Sequence, residues 1–226
     1  MKKILVLIVL LTSLFVNAQS KKEYLSKNRF DLNANNFDFP QKNFKIIGFG
    51  SYHGSAKTEN VEINLLKSLT KSGSIKYYLP ETDFSIAHYF NLFLKNGDTN
   101  LLKKLVIEYG IRIPQERSIE VYKKWIKLKE LNDNLSNDRK LKIIGIDLMV
   151  SYRYTAKYIL ELINSNRINS KLLKEIKQMV KTDTTDFSPY YNSYSKKVFK
   201  LLVSDFENNK TKYYTAINCK YEHCEP

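Results

Sequence analysis

The chain reads as an α/β protein: one domain with a small, mainly parallel sheet, strand-helix-strand units and many surrounding helices. Three observations carry this reading. Short apolar runs at 44–47, 75–79 and 141–144 have the length of buried strands and are bounded by turn residues. Between and after them, apolar residues return every three or four positions, the period of amphipathic helices. Each run also ends at once in polar residues or glycine: Gly48-Phe49-Gly50-Ser51-Tyr52-His53-Gly54, then Leu79-Pro80-Glu81-Thr82-Asp83, then Ile144-Gly145-Ile146-Asp147. The carboxyl ends of parallel strands are where ligands bind, so these endings are the candidate site.

Taken in order, Lys2 and Lys3 precede an unbroken apolar stretch over 4–11 that continues, diluted by Thr12 and Ser13, to Val16. That stretch is shorter than the roughly twenty residues a bilayer span needs. With Val16-Asn17-Ala18 as a small-residue cleavage site, 1–18 reads as a signal peptide. The expectation is a protein exported to a periplasm or secreted, with no stable membrane anchor after cleavage. Residues 19–43 are polar and rich in Asn, Lys and Asp, and read as a leader that packs little. The folded domain is expected over 44–226.

The first strand and its glycine-rich turn lead into a helix over 57–71, with Val61, Leu65, Leu66 and Leu69 on one face and Gly73 as its stop signal. The strand at 75–79 follows, closing a strand-helix-strand unit of the kind that forces parallel pairing. Helices over 85–96 and 100–109 are separated by Gly97-Asp98, and a longer one over 118–135 carries Ile119, Tyr122, Trp125, Ile126, Leu128 and Leu131. After the third strand the pattern stays helical, over 153–164, 170–181 and 190–208.

Lys and Arg number 37 against 23 Asp and Glu, a formal net charge of +14 to which Lys2 and Lys3 contribute. The lysines are spread over the helices and form no single block, so a solvated surface is expected and no nucleic-acid partner. The two cysteines, Cys219 and Cys224, flank His223. In an exported chain they can close a small disulfide loop or stay as thiols; two Cys and one His fall short of the four ligands of a structural zinc site.

Four residues carry the chemistry of this reading. His53, close to Gly50 and Gly54, can act as general base, general acid or metal ligand. Glu81 follows Pro80, which cannot donate to a sheet ladder and so releases the glutamate into a loop. There it can orient an imidazole or move a proton. Asp147 ends the third strand in the same way, as an orienting or binding group or as the cap of the next helix. Asp83 is read as a binding group whose other role is a helix cap. Among the rest, Glu59 and Glu62 lie in the first helical turns after His53, where Glu59 can face the site or favour the helix N-terminus. His88 shares a face with Phe84 and Leu92 and reads as packing; Arg112 and Arg117, flanking Pro114, can clamp an anion.

The run over 45–97 resembles the opening of erythromycin esterase-like proteins: an apolar strand, Gly-Glu-x-x-His-Gly, a helix, and a second strand ending in Glu. An aromatic-rich helix follows, with Asn and then Gly-Asp near its end. Here these are Gly48 to Gly54, Glu81, Asn91 and Gly97-Asp98. The 144–147 segment resembles the family's Gly-hydrophobe-Asp strand, preceded by a helix with Trp125 and Asn132. The resemblance implies an α/β hydrolase that needs no cofactor. In it His53 acts as general base towards a water attacking a small-molecule ester or lactone, and Glu81 supports it. No Gly-x-Ser-x-Gly elbow is present, which disfavours a serine acyl-enzyme.

Two departures from that pattern stand out. Gly50 occupies the place of the family's first glutamate, and the second half that supplies a further histidine is not found before Pro226, so the domain is expected to be incomplete at its C-terminus. Gly50-Ser51-Tyr52-His53 with Glu81 also resembles the Gly-x-x-His and Glu of the Tiki and TraB relatives, which implies a divalent metal at those two residues. A likeness to ChaN-type iron and haem-binding proteins implies a non-catalytic ligand-binding module.

Overall fold

The computed structural model describes residues 20–29, 31, 39, 44–50, 52, 55–71, 73, 75–149, 151–163, 170–182 and 193–216. It divides into two units, 1–37 and 38–226. The described part of the first is chiefly α1 (Lys21–Asn28), a helix where the sequence predicts no regular element. Its cause is a capping box: the Ser20 hydroxyl accepts the Glu23 N–H at 3.2 Å, and a Glu23 carboxylate oxygen accepts the Ser20 N–H at 3.2 Å. No residue of α1 is buried.

The second unit is mostly helical around a two-stranded parallel sheet. In chain order it contains α2 (Ala56–Lys71), β1 (Tyr77–Tyr78), α3 (Phe84–Asn96), α4 (Thr99–Arg112), a 3-10 turn (Pro114–Glu116) and α5 (Ile119–Asp133). A second 3-10 turn (Asn137–Arg139), β2 (Lys142–Ile143), α6 (Tyr152–Leu162), α7 (Ser170–Thr182), α8 (Tyr194–Asn208) and α9 (Lys210–Ala216) complete it. The helices expected from apolar period are all found, with ends displaced by a few residues. The exception is α9, where the expectation stopped at 208; Asn209 ends α8, and Tyr213 on α9 is buried.

In the sheet, Tyr77 lies opposite Lys142 and Tyr78 opposite Ile143. Backbone bonds extend the pairing, from Lys142 N–H to Lys76 O and from Ile144 N–H to Tyr78 O, each 3.0 Å. The far side of β2 is closed by two asparagine side chains in place of a strand. Asn91 of α3 donates to Ile143 O at 2.8 Å and accepts its N–H at 2.9 Å. Asn132 of α5 does the same for Leu141, at 3.0 and 2.9 Å. A primary amide presents one donor and one acceptor side by side, as a neighbouring strand would.

One expected strand is corrected. Residues 44–50 form no strand; Phe44 is exposed and Ile46 is 89 % exposed, and a methyl group added at Gly48 or Gly50 would meet nothing within 4 Å. An apolar run becomes a strand only when another strand completes its hydrogen bonds, and none lies beside this one among the described residues. The observed parallel pair therefore joins the second and third expected strands, with α3, α4 and α5 between them.

Two apolar clusters fill the unit. The larger gathers Ile63 and Leu66 of α2, Phe90 and Phe93 of α3, Leu102 and Leu105 of α4, Trp125 and Leu128 of α5, and the inner faces of both strands. The smaller joins Tyr152 and Ala156 of α6 to Ile176 and Met179 of α7, Val198 and Leu202 of α8, and Tyr213. No helix of the described residues is long and apolar enough to cross a membrane.

Candidate functional site

Beyond the paired residues, the two strand-ending loops stay tied together. The Thr82 carbonyl accepts the N–H groups of both Ile146 and Asp147, at 3.0 and 3.1 Å. Gly145 makes this approach possible, since a Cβ there would fall 2.2 Å from the backbone carbonyl of Asp83. The tie sets Glu81 and Asp147 on the rim of one cleft of about 520 Å³ at the carboxyl ends of the strands. Glu59 and Glu62 of α2, Glu116 of the 3-10 turn and Lys124 of α5 supply its other charges. Tyr78, Phe90 and Trp125 form its apolar wall.

Lys124 organises the buried part. Its ammonium stands 2.5 Å from Glu59 Oε2 and donates to Glu62 Oε2 at 3.0 Å, with its side chain 7 % exposed. No donor reaches that Glu59 oxygen in good hydrogen-bond geometry among the described residues, so the ion pair is what holds it. Glu62 also accepts the Tyr78 hydroxyl, at 2.5 Å through Oε1. Burial works against the Lys124 charge, yet the attraction of Glu62, Glu59 and Glu116 outweighs it and holds the ammonium above its ordinary range. Burial pushes the Glu116 carboxyl up; Lys124 pulls it back, and the charges of Glu59, Glu62 and Glu81 add to the rise. Burial first and Glu62 second keep the Tyr78 phenol protonated.

The wall is stacked tightly. The Phe90 and Trp125 rings lie 3.6 Å apart and nearly parallel, and Tyr78 leans on Trp125 at 6.3 Å. Trp125 Nε1 and Thr82 Oγ1 are buried at the cleft, and neither has a hydrogen-bond partner among the described residues.

Of the residues singled out by sequence, Glu59, Glu81 and Asp147 meet in the cleft. Asp147 is exposed and accepts the Leu148 N–H; the cap of α6 is Ser151, which frees Asp147 from that role. Asp83 does not line the cleft. It is fully buried as the N-cap of α3, where Oδ1 accepts the Ser85 and Ile86 N–H groups at 2.9 and 3.0 Å and the Ser85 hydroxyl at 2.6 Å. Its reading as a binding group gives way to the cap because three donors converge on one oxygen. Asp83→Ala is expected to cost about 1–2 kcal/mol, measured by urea unfolding.

His53 lies outside the described residues, as do Ser51, Gly54, Cys219, His223 and Cys224. The Arg112 side chain is also outside them, and Arg117 rims a separate apolar recess with Val106, Ile107 and Tyr122. His88 packs, as expected: its ring stacks on Tyr158 of α6 at 4.2 Å and meets Glu161 at 3.3 Å. Burial lowers its pKa below the ordinary 6.5, and Glu161 only partly opposes this. Folding thus favours the neutral ring, so its contribution to stability is complete above pH 6.5 and is lost as pH falls through the lowered value. His88→Gln should flatten that part of the stability profile in urea titrations between about pH 7 and 5.

Sequence reasoning missed Lys124, Glu116 and the site role of Trp125. A signal for the first was present: Val121, Lys124, Trp125 and Leu128 share one helical face, and a lysine on an apolar stripe is buried only when paired. Among the described residues no group of three or more His, Cys, Asp or Glu is arranged to hold a metal ion. Compared with known proteins, the chain matches no family model, no curated protein and no solved structure.

Proposed function

We propose that the chain is an exported α/β hydrolase of the erythromycin esterase-like kind, acting on a small-molecule ester or lactone. In this reading His53 is the general base for the attacking water, and Glu81 orients its imidazole or takes part in proton transfer. The observation that carries it is the tie between the two strand ends. Thr82 O holds the Ile146 and Asp147 amides, and Glu81 and Asp147 thereby share one cleft walled by aromatic rings. General acid-base chemistry is helped by carboxylates held beside an apolar surface, and here Glu81 and Asp147 stand at the rim of a cleft with an aromatic wall.

A second reading, a module that binds a ligand without turning it over, draws on Gly50, which stands in the place of the family's first glutamate. Hydrolysis of a panel of generic esters and macrolactones, with and without zinc or manganese, separates the readings. The expected result is turnover that vanishes in His53→Ala and falls about 10²-fold or more in Glu81→Gln. Metal-dependent turnover would transfer the role to a Tiki-type mechanism, and silence from the folded protein would favour the binding module.

A further inference from the structure

Away from the strand ends, α4 and the start of α5 enclose a second concave surface of different character. Lys103, Val106, Ile107 and Gly110 recur at helical spacing along one stripe of α4 and so share a face. The first turn of α5 brings Ile119 and Tyr122 to the same recess, which has a volume of about 320 Å³. Gly110 permits the approach of the two elements. A Cβ there would fall 2.2 Å from Cβ of Arg117 and 2.6 Å from its backbone nitrogen, so glycine lets the chain before α5 run directly against α4. That contact sets Arg117 beside the recess, which Lys103 also lines.

The recess joins uncovered apolar surface to unbalanced positive charge. Ile107 is 37 % and Ile119 56 % exposed, and covering such surface is favourable. Lys103 and Arg117 are the charged residues of the lining, and neither is paired with a carboxylate among the described residues. The acids nearby in the chain are engaged elsewhere or stand clear. Glu108 meets Arg153 at 3.6 Å, Glu116 lines the strand-end cleft with Lys124, and Glu120 does not line the recess. Ser118 is occupied as the cap of α5, its hydroxyl accepting the Val121 N–H at 3.1 Å.

From the apolar walls and the two unpaired cations beside them we infer that the recess binds an aliphatic carboxylate, the anion of a fatty acid. The alkyl chain lies against Val106, Ile107, Ile119 and Tyr122, and the carboxylate meets Lys103 and Arg117. The guanidinium suits that head group, because its planar fork of donors matches the two oxygens of a carboxylate. Size favours a free amphiphile over a macromolecule. The volume lies at the lower end of small-molecule sites, about 300–1,000 Å³, whereas a docked helix needs a groove long enough for several anchors. The recess shares no lining residue with the strand-end cleft, so the inference does not rest on the hydrolase reading.

Isothermal titration calorimetry of the full chain with decanoate, kept below the concentration at which it forms micelles, should show saturable binding. Octanoate, two methylenes shorter, should bind about tenfold more weakly, since each buried methylene adds to affinity. Decyltrimethylammonium, with the same chain and the opposite charge, should be weaker by about tenfold or more. Lys103→Gln with Arg117→Gln removes two exposed charges and should weaken decanoate about tenfold. Ile119→Glu sets a carboxylate in the recess at the first position of α5, where the helix N-terminus favours it and the fold should stand. That variant should abolish decanoate binding while leaving the circular dichroism unchanged. Equal affinity for the two head groups would overturn the inference, as would decanoate binding that survives Ile119→Glu. Silence with decanoate from the folded protein would overturn it too, and co-sedimentation with phosphatidylglycerol vesicles in that case would assign the face to a membrane.

Discussion

Replacing Lys124 by methionine is expected to destabilise the fold by about 3–5 kcal/mol, the scale for removing one partner of a buried ion pair. Methionine fits the stem of the lysine and keeps the apolar contacts of α5, so the loss measures the missing charge. Without the ammonium, Glu59 and Glu62 face each other and Glu116 across a largely buried space, and the Tyr78 hydroxyl alone cannot offset their desolvation. The sign of the pH dependence follows. In the native protein the Lys124 pKa is raised, so its contribution is present below the ordinary 10.5 and is lost as pH rises through the raised value. In Lys124→Met the carboxylates become the strained groups, with pKa values raised in the fold. The variant should therefore be nearest to native stability at about pH 4–5 and furthest from it at neutral pH. Urea unfolding at both values checks this; a deficit that does not depend on pH would mean the lysine acts through packing alone.

The second large effect is expected at Asn132. Asn132→Leu should cost about 2–6 kcal/mol, because the N–H and C=O of the buried Leu141 lose their partners together, each at about 1–3 kcal/mol. Asn132→Asp is the informative companion. A carboxylate can still accept the Leu141 N–H but cannot donate to its carbonyl, and it carries a buried charge. It should thus be no better tolerated than leucine at neutral pH and should improve in acid, where the protonated form donates again. Comparable loss at Asn91, which is only partly buried, should be smaller, since water can replace some of its bonds. If Asn132→Leu were neutral by urea unfolding, the amide would be ornament and β2 would be held by β1 alone.

Both residues show how far the sequence reading reached. Trp125 and Asn132 were legible as parts of an α5-like helix, and Glu81 and Asp147 as the ends of strands, because these follow from period and from turn residues nearby in the chain. Lys124 belongs to the cleft only because α5 packs against α2, a contact between residues some sixty positions apart, and Glu116 joins it from the turn before α5. Local pattern carries no record of such a pairing, although a lysine on an apolar stripe hinted that a buried partner existed. Asp83 went the other way. Its place beside Glu81 recommended it for binding, and the start of α3 claimed it as a cap.

What the sequence by itself determined is the helices α2 to α8, each written in a repeat of apolar residues a few positions long, and three apolar runs able to become strands. The tertiary structure decided which of the three apolar runs became strands, because a strand exists only through its neighbour's hydrogen bonds: 141–144 found β1 and two asparagines, and 44–47 found no such partner among the described residues. It also decided the charge of the cleft, where carboxylates from α2 and from the 3-10 turn gather around one ammonium and those of the two strand ends stand at the rim. Coulomb interactions depend on distance in space, and that distance is set by packing.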